Sequence, residues 1–411
     1  MPAEKATADA SVSSERLERI RQYISENAPL VAKGTRITVD EKDVESLLPA
    51  AVAASPSLKE NLHNWTCWIW GGQKKDPMAE PEKLKKSLMA EFNRVAAKLP
   101  FDAAELDRQP QNPKRHIIMA EPLQVTYADE ENVKIDTYRE WFCVKHALLK
   151  AGAQVDTIPA NAKGGMREVY TRDRYVMIGD TAYLPDPEEL QGLNDDGELD
   201  TGEQDIEWYK GEIAQVKEEL ESRGVKTVTV TGAWFEGGNV VRLSSSRTLC
   251  VGIDGAWSSE DSADRLVDAI NATQDKKWTL LPVPLADPDV MYHLDTGMSE
   301  ELPKGEVMIS PKVTDQKTYQ AIIDIVGADK IIKLSNAEAR KLATNMIDVG
   351  NTLVMTGNCK KLSAKLESRG YDLIQPKDYK LPDFEFGAGG VHCMTNDVRQ
   401  PRRKPAMPRP V

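Results

Sequence analysis

Missing from the chain is any run of about 18 consecutive apolar residues, so no part of it reads as a membrane-crossing helix. The opening stretch, Met1-Pro2-Ala3-Glu4-Lys5, has no apolar core of the secretory kind, and the expected location is the cytoplasm. Cysteine is sparse: Cys67, Cys143, Cys250, Cys359 and Cys393 form no CxxC or CxxxxC pair, a scatter that reads as free thiols in a reducing compartment rather than a disulfide framework or a zinc site. Positive charge is in deficit. A formal net charge of −12 argues against a general phosphate-backbone binder, which needs clustered Lys and Arg. Neither nucleic acid nor membrane is expected as a partner. Also absent are a Walker loop, an HExxH metal motif, a GxSxG elbow and a strand leading into GxGxxG.

What is present is a soluble composition, 40% hydrophobic and 29% charged, over 411 residues, enough for one large domain or two to three ordinary ones. Residues 1 to about 16 read as a polar tail, followed by helical stretches from Glu15 to Pro29, Val44 to Ala54 and Lys83 to Leu99. Between them Trp65 to Trp70 holds three of the eight tryptophans and reads as a buried contact, with a stacking wall as the alternative. From His116 the rhythm changes to strand-like runs alternating with helical patterns. The strands are His116–Ala120, Tyr175–Gly179, Thr227–Val230, Thr248–Gly252, Leu280–Val283, Glu306–Ile309 and Thr352–Met355. The helices are Thr137–Ala151, Ile206–Arg223, Ser259–Ala272, Asp315–Gly327, Asn336–Thr344 and Lys361–Gly370. Such alternation is α/β. The acidic stretch Asp186 to Asp205 does not place Asp or Asn at the alternate positions of a calcium loop, so no metal is expected there.

Chemistry-bearing residues concentrate in four short segments. Phe386 to Asp397 packs three glycines into four residues and then reaches Cys393, the candidate nucleophile. Upstream stand Arg172-Asp173, Glu236-Gly237-Gly238-Asn239 and His293-Leu294-Asp295-Thr296. In a strand, residues two apart share a face, which puts His293 and Asp295 on one side of a cleft. By the same rule His392 points away from its neighbour Cys393 and is structural. The other four cysteines lie in apolar contexts as core thiols.

In this order, Arg-Asp, Glu-Gly-Gly, His-Leu-Asp and Gly-Gly-x-His-Cys, the segments resemble the guanidino-group-modifying superfamily, which includes arginine and peptidylarginine deiminases and amidinotransferases. The resemblance spans residues 172 to 393. It implies the pentein fold, five pseudo-repeated α/β modules in a propeller, after a helical N-terminal extension. The domains are then 1–110, a catalytic 111–398, and a basic Pro-rich tail 399–411. It also implies a cysteine hydrolase that converts an arginine-type guanidine, small or peptidyl, to a ureido product and ammonia without metal or cofactor. Asp173, Glu236 and Asp295 would hold the guanidinium, with Asn239 and Arg172 beside it. Arg172 is equally read as part of an ion pair. His293 would serve as acid and base.

A planar cation with a pKa of roughly 12.5 to 13.8 is matched best by carboxylates that accept paired hydrogen bonds. Departures leave alternatives open. Cys393 to Arg399 looks closer to the amidinotransferases, which pass the amidino group to an amine. Ala388 stands where arginine deiminases of this pattern carry the Arg that binds the α-carboxylate. Free arginine is therefore expected to be a poor substrate. A non-catalytic guanidine-binding protein is the third reading, and homo-oligomer formation is left open.

Overall fold

The structure, a computed structural model, describes residues 101, 105–106, 108–121, 133–158, 169–190, 203–254, 258–286, 291, 293–375, 381 and 389–399. The expected N-terminal helices, the tryptophan cluster, Cys67, most of the acidic stretch, Tyr292, Ala388 and the basic tail beyond Arg399 lie outside the described residues.

The chain divides into two compact units, Met1–Gln109 with Glu130–His146, and Pro110–Asp129 with Ala147–Val411. Within the first, the ring of Phe101 stacks on His146 at 3.8 Å and His146 Nε2 meets Glu105 Oε2 at 2.8 Å. The second holds every strand among the described residues, while the helix Val133–Ala151 has residues in both.

Its strands form five small sheets. They are β1 (Arg115–Ala120) with β2 (Ala153–Ile158) and the C-terminal β14 (Asn396–Asp397); β3 (Val176–Ile178), β4 (Thr181–Pro185) and β5 (Lys226–Val230); β6 (Val240–Leu243), β7 (Thr248–Ile253) and β8 (Thr279–Pro284); β9 (Val307–Ile309) with β10 (Ile331–Lys333); and β11 (Ile347–Val349), β12 (Thr352–Val354) and β13 (Asp372–Ile374). One arrangement recurs. The central strand has an antiparallel neighbour on one side and a parallel one on the other: β4 between β3 and β5, β7 between β6 and β8, β12 between β11 and β13, β1 between β14 and β2. In the remaining sheet β9 pairs parallel with β10, and an antiparallel bridge from Met298 to Ile309 stands for the missing strand.

Parallel neighbours require a crossover, and in each case a helix lies between them in the chain. These helices are α1 (Val133–Ala151), α2 (Glu203–Ser222), α3 (Glu260–Thr273), α4 (Gln316–Val326) and, after the single turn α5 (Asn336–Ala339), α6 (Lys360–Ser368). Ser259 caps α3 by accepting from Ser262 N, Asp315 caps α4 by accepting from Thr318 N at 3.0 Å, and Ser335 and Glu338 form a capping box on α5. Apolar faces meet between elements: Val176, Phe235, Leu249 and Val251 pack with Leu266 and Ile270 of α3. Each such buried side chain contributes about 1.5–3 kcal/mol. Cys143, Cys250 and Cys359 are buried and form no disulfide among the described residues. Among the described residues no helix is long and apolar enough to cross a membrane.

The strand runs and long helices anticipated from the sequence lie where expected, to within a few residues. One helix differs. The pattern over Asn336–Thr344 is helical only to Ala339, and the chain then turns through Leu342 at φ 52 to deliver Asn345.

Candidate active site

Each sheet's antiparallel edge is entered through a short turn, and these five turns carry the candidate residues. Asp173 lies in the turn Thr171–Arg174 before β3, and Glu236 opens the turn Gly237–Asn239 before β6. His293 opens the turn Leu294–Thr296 before the Met298 bridge, Asn345 precedes β11, and His392 and Cys393 sit in the turn before β14.

Two expectations about local structure are therefore corrected. His293 and Asp295 do not share a strand face: Thr296 N and Oγ1 both bond back to His293 O, closing a tight helical turn. His392 and Cys393 are not in a strand either, since Met394 N returns to Gly390 O and Thr395 N to His392 O. His392 consequently reaches the same carboxylate as its neighbour instead of pointing away.

The turns converge on two linked constellations. In one, His293 Nε2 lies 2.7 Å from Glu236 Oε2, and its Nδ1 lies 3.7 Å from Asp173 Oδ1. Tyr209 of α2 donates to the other oxygen of Glu236 at 3.3 Å, and Gly238 N donates to Asp173 Oδ1 at 3.0 Å. Gly238 is needed because a Cβ there would stand 2.6 Å from His293 Nδ1. In the other, Asp295 Oδ2 receives His392 Nδ1 at 2.8 Å, Asn345 Nδ2 at 3.2 Å and Cys393 Sγ at 3.6 Å. Its second oxygen, Oδ1, is buried and has no hydrogen-bond partner among the described residues.

The electrostatics follow from burial and an excess of carboxylates. Burial raises the Cys393 thiol well above its usual range, and the charges of Asp295 and Asp173 push the same way. Burial also raises Asp173, to about 7, where the pull of His293 is opposed by Glu236. For His293 burial opposes the charge, yet Asp173, Glu236 and Asp295 outweigh it and lift the ring to about 9. His392 goes down, from burial and from Arg172, against the pull of Asp295. Asp173, Glu236 and His293 each offer an atom within 4.8 Å of the others and could hold a metal ion. Both ring nitrogens of His293 face carboxylates, however, which arranges the ring to hold protons rather than to offer a lone pair.

Asp173, Glu236, His293, Asp295 and Cys393 are thus brought together. Arg172 and Asn239 are engaged by the fold instead of facing a ligand. Asn239 donates to Asp254 Oδ2 at 2.9 Å and accepts from Leu294 N at 3.0 Å. Arg172 N donates to Cys393 O at 3.0 Å and its Nη1 to Asn396 Oδ1 at 3.1 Å, so it fastens the turn that carries Cys393. Behind that turn lies a closed ionic cluster. Arg115 grips Asp397 through Nε (2.6 Å) and Nη2 (2.9 Å) and reaches Asp348 at 2.9 Å; Arg242 joins Asp397 (2.9 Å) to Glu300 (2.6 Å). Burial works against the Asp397 anion, but Arg115 and Arg242 overcome it and hold the carboxyl at about 2. Neither the cluster nor Asn345, Tyr209 and His392 as site residues could be read from the sequence; an Asn in a turn carries no signal, and the ionic partners lie far apart in the chain.

No family model matches the chain, and no curated protein matches it either. Solved structures do. The N-terminal domain of ArgZ, an arginine dihydrolase of the ornithine–ammonia cycle in cyanobacteria, solved with its product, aligns over 71% of this chain and 99% of its own, with a TM-score of 0.57 and 20% identity. The fold is of the pentein type. AgrE, solved with ornithine and NAD+, aligns over 71% of this chain but 40% of its own (TM-score 0.56, 23% identity). DDAH from Pseudomonas aeruginosa, a cysteine-to-serine mutant holding citrulline, aligns over 70% of this chain and all of its own (TM-score 0.53, 16% identity).

Proposed function

We propose that the protein is a guanidine hydrolase of the deiminase type, in which Cys393 forms a covalent amidino intermediate. The observation that carries this reading is the unpartnered, buried Asp295 Oδ1 beside Cys393 Sγ, opposite Asp173 and the Glu236–His293 pair. A buried carboxylate oxygen without a donor is costly, and a planar cation with several N–H groups satisfies it. Among proteins similar in fold, AgrE has been solved with ornithine and, as a cysteine-to-alanine mutant, with L-arginine, and DDAH with citrulline.

Asp173 and Asp295 hold the guanidinium, and its positive charge lowers the cost of ionising the Cys393 thiol, whose proton is released to water. The sulfur adds to the central carbon, forming an S–C bond; protonated His293 gives its proton to one nitrogen, and ammonia leaves. Water then adds to the amidino carbon while His293 takes its proton, the C–S bond breaks, and a ureido product departs from a restored thiol. Glu236, itself held by Tyr209, keeps His293 oriented and charged. The scheme calls on no metal or organic cofactor.

The same reading extends to architecture: the five sheets are the blades of a pseudo-symmetric propeller, the catalytic domain covers 111–398 after a helical extension at 1–110, and the protein works in the cytoplasm. Amidino transfer is the second reading, since an amine could replace water. The stretch that favours it, Cys393 to Arg399, engages Asn396 and Asp397 in bonds to Tyr175 O and Arg115, so at those two residues the likeness concerns packing more than an acceptor site.

Free L-arginine is a poor substrate on this reading. Arg172 and Arg242 are both turned inward to Asn396, Glu300 and Asp397, which removes two cations that could have bound an α-carboxylate in place of an Arg at position 388. The test is an arginine panel, free, esterified, peptidyl and decarboxylated, with and without glycine, lysine or ornithine, read by mass. Ureido product and ammonia are expected, with blocked guanidines ahead in kcat/KM. Amidino-acceptor products would establish transfer, and a tenfold advantage for free arginine would overturn the substrate choice.

A further inference from the structure

Asn345 is fully buried, and its carboxamide is bonded at both ends. Oδ1 accepts the backbone N–H of His392 at 3.0 Å and of Cys393 at 3.2 Å, while Nδ2 donates to Cys393 Sγ at 2.8 Å and to Asp295 Oδ2 at 3.2 Å. Those partners fix the orientation of the amide. Turned over, it would set its NH2 against two N–H donors and its oxygen against a sulfur and a carboxylate. The backbone is held as well: Asn345 N donates to Leu342 O at 3.0 Å, and Asn345 O accepts from Thr356 Oγ1, which in turn receives Val391 N at 2.8 Å. Gly390 is part of the same fit, because a Cβ there would stand 2.8 Å from Asn345 Oδ1. The amide therefore cannot swing away from the sulfur without breaking the turn that carries it.

The sulfur needs such a donor. The charged side chains that bear on it most are Asp295 and Asp173, and both disfavour a thiolate. We propose that Asn345 is a catalytic residue whose Nδ2 hydrogen-bonds the Cys393 thiolate and bridges that anion and Asp295 Oδ2. It would act twice: when the sulfur ionises to attack, and when the C–S bond of the intermediate breaks and charge returns to sulfur. The catalytic step rests on the guanidine reading above; the effect on the thiol does not.

The decisive variant is Asn345→Asp, which keeps the shape and the acceptor for the two turn N–H groups but puts an oxygen against the sulfur. Asn345→Ala removes the donor without adding charge. Alkylation of Cys393 by iodoacetamide is followed against pH by peptide mass in the substrate-free protein, alongside kcat, KM and thermal unfolding. The groups that face the thiol as pH changes are Asp295, His392 through it, and Asp173 with His293. In Asn345→Asp the alkylation midpoint should move up by at least about one pH unit, with alkylation at pH 8 about tenfold slower. kcat should fall about 10²- to 10³-fold, the range for one transition-state donor, with KM within about threefold. Asn345→Ala should move all three in the same direction by less, and it decides the matter if the Asp variant does not fold. A folded variant with the wild-type alkylation profile overturns the assignment, even if wild-type protein turns over guanidines. A shifted profile in a protein that turns over no guanidine upholds the role of Asn345 on the thiol and overturns the guanidine reading instead.

Discussion

Two buried clusters of charge share the same five turns and edges, and they are completed differently. In the inner one Arg115 and Arg242 meet Asp397, Glu300 and Asp348, and the carboxyls of Asp397 and Glu300 are held below their usual range against the effect of burial. In the outer one burial pushes up Asp173 and the Cys393 thiol, the pull of His293 and Arg174 on Asp173 does not overcome it, and among the described residues Asp295 Oδ1 has no hydrogen-bond partner. Burial is similar in both. The difference lies in how fully the carboxylates are matched: Asp397 and Glu300 are shared between guanidinium groups of the fold, whereas Asp295 keeps an acceptor that, on the proposed reading, the substrate's guanidinium takes.

The sharpest way to break this comparison is at the outer cluster's nucleophile. Cys393→Ser should reduce turnover to background with the unfolding curve unchanged, because the hydroxyl ionises far less readily than the thiol; more than a few per cent of residual activity would rule out the covalent route. Next, His293→Ala should lower kcat about 10²- to 10⁴-fold, measured under saturating substrate.

The inner cluster should answer in stability instead of rate. Asp397→Asn strips Arg115 and Arg242 of a shared partner and is expected to cost about 3–5 kcal/mol in denaturant unfolding, as breaking a buried pair does. A loss under about 1 kcal/mol would mean the cluster is not the scaffold described. Because the folded-state pKa of Asp397 is depressed to about 2 from 3.8, its contribution is present above about pH 4 and lost as pH falls through 2.

Asp173 has the opposite sign. Raised to about 7, it binds more protons in the folded state between about pH 4 and 7, so stability declines as pH rises through that window. Asp173→Asn should therefore be as stable as wild type or more so at pH 8, while losing activity. His293, raised to about 9, stabilises fully below about pH 6.5, and that gain is lost as pH rises through 9. The smallest effect is expected from His392→Ala, about tenfold in kcat/KM, through loss of the hydrogen bond that orients Asp295.

How much of this was legible follows from distance along the chain. The runs Thr248–Gly252 and Thr227–Val230 show their strand character locally, and Cys393 is announced by the glycines before it. The two-residue periodicity placed on His293 and Asp295 failed because Thr296 closes a turn on His293 O, which an alternation rule does not register. Asn345 was invisible because its meaning depends on Cys393, 48 positions away. Asp397 was legible as part of a motif, but its partners Arg115 and Arg242, 282 and 155 positions distant, were not.

The pairing of β14 with β1 also bears on when the protein becomes reactive. Asn396 and Asp397 lie beside Ile118 and Ile117, so the nucleophile's segment is the latch that joins the end of this unit to its first strand. Until that latch is shut, Arg172 and Asn345 have no Cys393 to hold, and the thiol is an ordinary flexible one. Because burial, Asp295 and Asp173 hold the ordered thiol above its usual range, thiol labelling should slow as the latch closes, and the loss of labelling would report completion of the fold.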